Sequence, residues 1–573
     1  MALLEIENLT YHYPDENRSA LDRINLTVQE GEFILLAGGS GSGKSSLVRA
    51  MAGLIPDFYG GKIAGAVRLD GMDIKALARS EVVRKVGMVF QDPESQLVMT
   101  TVEQELAFGM ENLGLAPELM KRRIMEVSGA LSLHGYLQEN IPRLSGGLKQ
   151  KTLLASILAM QPEILILDEP TSQLDPVAGE EILTVVRRLN EDNGITVILI
   201  EQRLERCFHL ADRIVVMSEG RIIHDSPDRA AAAAWAVAKD SPFLPPLARL
   251  FAATGIQPLP LTVKEGRKAL KGLQIPAGLN AAEGKTAKST EKGVGPEDRI
   301  MSGTAAKKTP LLEVKQLWLT YDNGREVLKN INLTLNPAEF LIIMGENAAG
   351  KTTLLKTIRG LLRPSRGQVR LLGREANDFT VEALAQTVGY LAQNPNDYLF
   401  QPTVREEISF TLQNLGLAED GRVEKILERF ALLPYAAANP RDLSTGERQR
   451  AALAAILAAD PPILLLDEPT RGLDYEMKAS LGELLAGLRQ EGHAIIVVTH
   501  DVEFAAEYAQ KILFLSRGQI VSAGDKKEML SRSTFYSSQI GKLFHGIDDS
   551  IVTLQDGAKA LQKLLRGGKA DAH

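Results

Sequence analysis

The sequence predicts an α/β protein made of two similar halves, each built on a mainly parallel β-sheet. Three observations lead to this fold class. A glycine-rich stretch between an apolar run and a helical segment occurs twice, at 38–45 and 345–352. Short apolar strands alternate with longer helical segments, which is the pattern of a parallel sheet covered on both faces. An Asp-Glu pair follows one of these apolar strands in each half.

Length and composition agree with a protein of two or more globular domains. The chain has 573 residues, of which 45% are hydrophobic and 24% are charged, as in ordinary soluble domains. The net charge of −7 argues against a nucleic-acid partner bound through a broad positive field. A single cysteine, Cys207, excludes an internal disulfide and suits a reducing compartment. We find no signal-peptide pattern and no apolar stretch near the roughly 18 residues of a spanning helix, so we expect membrane contact only through partners.

The first glycine-rich stretch has the features of a phosphate-binding loop. Glycines let backbone N–H groups turn toward one anion, and the N-terminus of the following helix adds its dipole. Lys44 can reach the β- and γ-phosphates of a nucleotide, and Ser45 can hold Mg²⁺. We predict nucleotide contacts from Gly38, Gly39, Ser40, Gly41, Ser42, Gly43, Lys44, Ser45 and Ser46, and in the second half from Gly345, Glu346, Asn347, Ala348, Ala349, Gly350, Lys351, Thr352 and Thr353.

The two halves repeat along nearly their whole length, including their ends. Residues 5–9 match 313–317, and residues 262–270 match 553–561, so each half carries its own C-terminal appendage. The appendages, 243–270 and 536–561, are predicted to be helical and amphipathic. We therefore predict a first domain over 1–272 with its core at about 3–240, a flexible linker over 273–310, a second domain over 311–566 with its core at about 311–530, and a tail over 567–573.

The pairs Asp168-Glu169 and Asp467-Glu468 each follow four apolar residues. In open α/β sheets, ligands lie outside the carboxyl ends of the strands. The Asp can hold the Mg²⁺ shell, and the Glu can polarise a water molecule aimed at the γ-phosphate. A helix-capping acid at the end of a strand would explain one such pair. Two copies, each behind its own phosphate loop, favour catalysis.

The complete motif set resembles the ATP-binding cassette family. Gln91, Ser145-Gly146-Gly147, Asp168-Glu169 and 172–175 follow the first loop, and the second loop is followed by Gln393, Ser444-Thr445-Gly446, Asp467-Glu468 and 471–474. The resemblance implies two tandem cassettes that bind and hydrolyse ATP, each with a phosphate-loop sheet core, an antiparallel β subdomain and a helical subdomain. It implies Mg²⁺ binding by Ser45, Gln91, Asp168, Thr352, Gln393 and Asp467. Tyr13 and Tyr321 occupy the family's adenine-stacking position, although either could be an ordinary strand aromatic.

A closer resemblance is to the duplicated ATPases of energy-coupling factor importers, which take up vitamins and metal ions. It rests on 89–97 and 101–109 in the first half and on 393–410 in the second. It implies a peripheral position on the cytoplasmic face of the membrane, with an integral-membrane coupling subunit and a small substrate-binding membrane subunit as partners. Leu97, Leu399 and Phe400 would help to form a groove for coupling-subunit helices, unless they pack inside their own domains.

Two other assignments stay open. A sugar-type importer ATPase would have the same chemistry with other membrane partners. A tandem-cassette factor acting on ribosomes would need no membrane, but that class carries a long, basic, helical connector, whereas 273–310 has mixed charge.

Cassettes of the resembled family pair head to tail, which here implies intramolecular pairing and two composite sites. Lys44, Ser45, Gln91, Asp168 and Glu169 would face the signature 444–446, and Lys351, Thr352, Gln393, Asp467 and Glu468 would face the signature 145–147. The family's switch histidine is His500 in the second half, but Gln202 in the first cannot carry a proton. Thr445 places a β-branched side chain where backbone approaches phosphate. We expect the Lys351, Glu468 and His500 site to be the main hydrolytic site, and the site with Lys44, Glu169 and Gln202 to turn over slowly.

Overall fold

Each half of the chain contains a six-stranded sheet and a four-stranded sheet. The computed structural model describes residues 2–14, 16, 18–272 and 309–570. The chain divides into two units, Met1–Thr262 and Val263–His573. The predicted α/β class, with a mainly parallel core and a separate antiparallel sheet in each half, is confirmed. The predicted linker lies outside the described residues up to 308, as does the end of the predicted tail, 571–573.

The first unit begins with strands, which are followed by the phosphate loop, a mostly helical middle and further buried strands. Its strands are β1 Ala2–His12, β2 Leu21–Gln29, β3 Phe33–Gly38, β4 Lys62–Leu69, β5 Met72–Asp73, β6 Val86–Val89, β7 Ile164–Asp168, β8 Thr196–Ile200, β9 Arg213–Ser218 and β10 Arg221–Ser226. Its helices are α1 Lys44–Met51, α2 Arg79–Lys85, α3 Val102–Asn112, α4 Pro117–Ala130, α5 Gly146–Ala159, α6 Pro176–Asn193, α7 Leu204–Cys207, α8 Arg229–Ala238 and α9 Pro246–Ala253.

The second unit repeats this plan and begins with one additional helix, α10 Val263–Gly272. Its strands are β11 Leu312–Thr320, β12 Glu326–Leu335, β13 Phe340–Met344, β14 Arg366–Leu371, β15 Arg374–Glu375, β16 Val388–Leu391, β17 Ile463–Asp467, β18 Ala494–Val498, β19 Lys511–Ser516 and β20 Gln519–Asp525. Its further helices are α11 Lys351–Ile358, α12 Val381–Thr387, α13 Val404–Asn414, α14 Arg422–Arg429, α15 Thr445–Leu457, α16 Tyr475–Gln490, α17 Val502–Tyr508, α18 Lys526–Ser531, α19 Gln539–Phe544 and α20 Leu554–Ala570.

The large sheets have the same strand order in both units. In the first unit the order is β10-β9-β3-β8-β7-β6, in which β10 is antiparallel to β9 and the other neighbours are parallel. All residues of β3, β7 and β8 are buried, which explains their continuous apolar sequences. The carboxyl ends of β3 and β7 therefore carry the phosphate loop and the Asp-Glu pair at one edge of the sheet.

Packing places α10 in the second unit, although the sequence repeat assigns it to the first half. Helix α10 packs against α19, and the Arg267 guanidinium donates to the carbonyl oxygen of Lys542 through Nε (3.2 Å) and Nη2 (2.6 Å). Leu270 is fully buried. The domain boundary at residue 272 stays a prediction from the repeat. Within the described ranges, each helix is too short or too polar to cross a membrane.

Candidate nucleotide sites

The first phosphate loop folds around the side chain of Lys44. Gly43, with φ of 98°, precedes the first residue of α1, and a Cβ there would lie 2.5 Å from the carbonyl oxygen of Ala20. Glycine is therefore required for this turn. Lys44 is buried, and its Nζ donates to the carbonyl oxygens of Gly38 (2.9 Å) and Gly39 (2.7 Å). The ammonium group is held inside the loop, where the phosphates of a nucleotide would meet it.

The second loop has the same construction despite fewer glycines. Gly350, with φ of 103°, precedes α11. The Lys351 Nζ donates to the carbonyl oxygens of Gly345 (2.9 Å) and Glu346 (2.8 Å). Glu346 replaces a glycine of the first loop, and its carboxylate accepts a hydrogen bond from the Ser516 hydroxyl at 2.9 Å. The loss of glycine therefore leaves the lysine position unchanged.

Each loop brings a hydroxyl group to an aspartate at the end of a buried strand. Ser45 hydrogen-bonds to Asp168, and Thr352 hydrogen-bonds to Asp467. Burial raises the pKa of both aspartates, and these hydrogen bonds lower it in part. Within the described residues, the buried Oδ2 of Asp467 has no hydrogen-bond partner. A hydroxyl and a carboxylate with a spare oxygen fit Mg²⁺, which prefers oxygen ligands and takes few of them from the protein.

The glutamates after these aspartates adopt an uncommon backbone conformation. Glu169 has φ of 49° and Glu468 has φ of 52°, in the left-handed region that non-glycine residues seldom occupy. The Glu169 amide donates to the carbonyl oxygen of Ile200 (2.9 Å), and the Glu468 amide donates to that of Val498 (2.8 Å). Strain of this kind is concentrated at functional sites. The two glutamates therefore have the same backbone geometry at the ends of equivalent strands.

The Glu169 carboxylate is surrounded by amides and carboxyl groups. Gln91 Nε2 donates to it at 2.8 Å, and Gln202 Nε2 donates at 2.5 Å. Burial, with smaller contributions from Asp168 and Glu201, raises the pKa of Glu169 to about 7. Gln202, which stands at the position of the switch histidine, therefore contacts the glutamate in this structure.

Glu201 was not identified as a site residue from the sequence. It is buried, accepts a hydrogen bond from the Thr171 hydroxyl at 2.5 Å, and accepts another from the Gln202 amide at 3.0 Å. One feature of the sequence could have identified it: Glu201 is an acidic residue directly after an apolar strand, whereas the matching residue of the second half is Thr499.

Glu468 has a different neighbour. His500 Nε2 lies 3.2 Å from Glu468 Oε1, and the His500 amide donates to Glu468 Oε2 at 3.3 Å. Thr499 contacts Thr470 through their hydroxyl groups at 2.8 Å, so no third carboxylate occupies the position of Glu201. An imidazole can move a proton, which the Gln202 amide cannot do.

The predicted signature residues begin helices. Ser145 caps α5 by accepting from the Leu148 amide, and Ser444 caps α15 by accepting from the Glu447 amide, each at 3.4 Å. A Cβ at Gly446 would lie 2.4 Å from Met477 Sδ, so glycine has a packing role there.

Three further predicted residues, Gln393, Tyr13 and Tyr321, make fewer contacts with the two Asp-Glu pairs. Gln393 is exposed, whereas its counterpart Gln91 donates a hydrogen bond to Glu169. The Tyr13 hydroxyl lies 3.1 Å from Ser46 Oγ, and the Tyr321 hydroxyl lies 3.1 Å from Thr353 Oγ1. Both tyrosines are thus attached to the helix after the phosphate loop, and adenine stacking stays a prediction.

A buried glutamate fixes the segment after the glutamine in each unit. Glu105 Oε2 accepts from the amides of Val98 (3.0 Å) and Met99 (2.8 Å). Glu407 Oε2 likewise accepts from Phe400 and Gln401, both at 2.7 Å. The stretch Thr-Val-x-x-Glu therefore has a physical role: the Thr caps the helix and the Glu holds the preceding loop.

The loops held in this way present apolar side chains to solvent. Val98 is 62% exposed and Phe400 is 67% exposed, whereas Leu399 is buried in the core of its own unit. Phe108 and Phe410, at matching positions of α3 and α13, are also exposed. Leu399 therefore follows the second alternative and packs inside its own domain, and Val98 takes the exposed position that matches Phe400.

Comparison with known proteins agrees with this arrangement. The ABC transporter family model matches residues 21–172 and 328–471. A protein of Bacillus thuringiensis subsp. konkukian, provisionally named an ABC transporter ATP-binding protein, is 37% identical over 95% of each chain. One from Streptomyces coelicolor with the same provisional name is 38% identical, over 94% of this chain and 97% of that one.

Two solved structures are also similar to this chain. One is cbiO1 from Clostridium perfringens, part of the ABC transporter complex cbiONQ, with 31% identity and a TM-score of 0.37 over 39% of this chain and 91% of that one. The other is a dimeric ATP-binding cassette with bound ADP and Pi, with 30% identity and a TM-score of 0.35 over 38% and 98% of the chains. With a phosphate loop and an Asp-Glu strand in both matched segments, this chain belongs to the ABC transporter family, as an ATP-binding and ATP-hydrolysing subunit with two cassettes.

Proposed function

We propose that this chain is the ATPase of an importer of the energy-coupling factor type, bound peripherally at the cytoplasmic face of the membrane and driving a membrane coupling subunit. One observation carries the proposal: both cassettes fix an apolar loop directly after the glutamine and expose it to solvent. A fixed loop is a better docking element than a mobile one, because less conformational entropy is lost on binding.

We assign two residues of each cassette to this docking surface. They are Val98 and Phe108 in the first cassette, and Phe400 and Phe410 at the matching positions of the second. Exposed side chains of this size, repeated at the same positions of two cassettes, suit an amphipathic partner helix. ATP binding would change the presentation of the two loops to the partner, and hydrolysis would reverse the change.

Affinity capture of the full chain from solubilised membranes tests the partner class. We expect one integral-membrane coupling subunit together with a small substrate-binding membrane protein. Two large permease-like subunits would instead favour a sugar-type importer, and a salt-sensitive ribosome association would favour the soluble tandem-cassette class.

A matched pair of substitutions tests the docking surface. Phe400→Ser should reduce recovery of the membrane subunits at least tenfold while ATP binding is retained. Val521→Ser is the control, because Val521 on β20 is 62% exposed and Phe400 is 67% exposed. Equal recovery with both variants would contradict the docking assignment.

We further propose that the two cassettes differ in hydrolysis. Mg²⁺ bound beside Ser45 and Asp168, or beside Thr352 and Asp467, would supply positive charge at the nucleotide phosphates. In the second cassette Glu468 orients the attacking water and the nearby His500 can take up and release a proton. In the first cassette the Gln202 side chain donates a hydrogen bond to one carboxylate oxygen of Glu169, so that oxygen is less available to a water molecule. The raised pKa of Glu169 also leaves a smaller fraction of this carboxyl group ionised. These contacts favour faster turnover at Lys351 and Glu468.

Single substitutions separate the two sites. Glu468→Gln, assayed with the membrane partners, should lower ATPase activity by at least a hundredfold, since it removes the water-orienting carboxylate where most turnover occurs. Glu169→Gln is the matched variant and should lower activity only a few-fold. Equal losses in the two variants would contradict the asymmetry.

A further inference from the structure

A cavity lies in the second unit, outside the residues of either phosphate loop. Its volume is about 370 Å³, within the range of small-molecule sites. Its walls come from α10, from the segment that follows α18, and from the end of α19. It is therefore built from parts of both appendages, to which the sequence assigns no role, together with residues 531–534 just before the second appendage.

Apart from Val263, the side chains that line the cavity are basic or carry hydroxyl groups. Arg267, Arg532, Lys542 and His545 contribute the basic groups, and Ser537 is one of the hydroxyl residues. Among the described residues, no lining side chain carries a carboxylate. Arginine and lysine donate to phosphate oxygens, and serine hydroxyls add neutral donors.

Two carboxylates approach this basic group from outside the cavity lining. Glu528 lies 3.0 Å from Arg532, and Asp549 lies 3.2 Å from His545. The side chains of both pairs are more than half exposed, so water screens these contacts and they hold the cations weakly. Within the described residues, the Lys542 Nζ has neither a hydrogen bond nor an ion pair.

The cavity has a fixed geometry on the side of α10. Arg267 is anchored by two hydrogen bonds to the carbonyl oxygen of Lys542, at 3.2 and 2.6 Å. Ser537 and Ser538, which immediately precede α19, are buried. The matching position of Arg267 in α20 is Ala558, so the repeat does not duplicate this arginine.

We propose that the cavity binds a small ligand bearing a phosphate monoester, in contact with Arg267 and Lys542. The bound phosphate bridges α10 and α19. Ligand binding therefore strengthens the packing of α10, the appendage helix of the first half, against α19. The recognised chemistry is shared by a soluble organic phosphate and by the headgroup of an anionic lipid. This inference does not depend on the type of importer that the ATPase serves.

The test uses the full chain carrying Lys44→Ala and Lys351→Ala, so that the nucleotide loops do not take up the probe. Glycerol phosphate is titrated calorimetrically, and vesicles of phosphatidic acid are compared with vesicles of phosphatidylcholine. Hydrogen exchange of 263–272 is measured with and without each probe. We expect saturable binding of glycerol phosphate or of phosphatidic acid, with slower exchange in α10.

Three substitutions identify the site. Arg267→Gln and Lys542→Gln should each weaken binding at least tenfold, and Lys268→Gln, which removes an exposed charge on α10 outside the cavity, should not. Arg267 also holds α10 against α19, so Arg267→Gln could loosen α10 even when no ligand is present. In that case the binding measured with Lys542→Gln decides whether the cavity is the site. Binding of glycerol phosphate identifies a soluble ligand, and binding of phosphatidic acid vesicles alone identifies a lipid. No saturable binding of either probe, or an equal loss with Lys268→Gln, overturns the proposal.

Discussion

Glu201 adds a third buried carboxyl group beside Asp168 and Glu169, and this has a measurable consequence for stability. Burial, with smaller contributions from Asp168 and Glu201, raises the pKa of Glu169 to about 7 in the folded protein, above its ordinary value of 4.5. The folded state therefore binds a proton more tightly than the unfolded state, and the associated stability is lost as the pH rises from 4.5 through 7. We expect the nucleotide-free and metal-free protein to lose on the order of 3 kcal/mol from this group over that range.

Glu201→Gln should reduce this pH dependence by about 1 kcal/mol, because it removes one of the charges that raise the Glu169 pKa while burial remains. The measurement is denaturant unfolding of both proteins at pH 5 and pH 8. Glu163→Gln is the control, since it removes an exposed carboxylate just before β7. An unchanged pH dependence in Glu201→Gln would contradict the electrostatic role of Glu201.

Local patterns of the sequence predict the residues of both phosphate loops and both Asp-Glu pairs, because strand, turn and helix N-terminus are encoded within about ten residues. They do not predict the partners of Gln202 and Glu201. Glu201 and Gln202 follow β8, whereas the residues that they contact, Thr171 and Glu169, follow the neighbouring strand β7. Only the pairing of β7 with β8 brings these side chains together.

The loop after Gln91 depends on one side chain of α3. Glu105 holds the amides of Val98 and Met99, so Glu105→Ala should leave two partly buried donors without this partner, at a cost on the order of 1 kcal/mol. We expect faster hydrogen exchange at Val98 and Met99, and weaker capture of the membrane partner. Glu111→Ala, at an exposed position of the same helix, should change neither. Loss of capture without faster exchange at these amides would show that Glu105 acts in another way.

Amphipathic patterns predict that the appendages are helical, but they do not predict which surface each helix covers. Helix α10 has a buried face containing Gly266 and Leu270, and this pattern suits any apolar surface of similar width. The same limit applies to Leu399 and Phe400, which are adjacent apolar residues. One is buried and the other exposed because the backbone is extended at Leu399, and successive side chains of an extended chain point to opposite sides.

At the scale of the whole molecule, the packing of α10 makes the second unit depend on sequence from the first half. Leu270 is fully buried, and removal of a buried leucine side chain costs about 2–5 kcal/mol. Leu270→Ala should therefore accelerate hydrogen exchange in α19, although 275 residues separate Arg267 from its bonded partner Lys542. Exchange in α9, the matching helix of the first unit, should be unchanged. Lys268→Ala, at an exposed position of α10, provides the control. If α9 loosened and α19 did not, α10 would belong with the first unit in solution, as the repeat alone suggests.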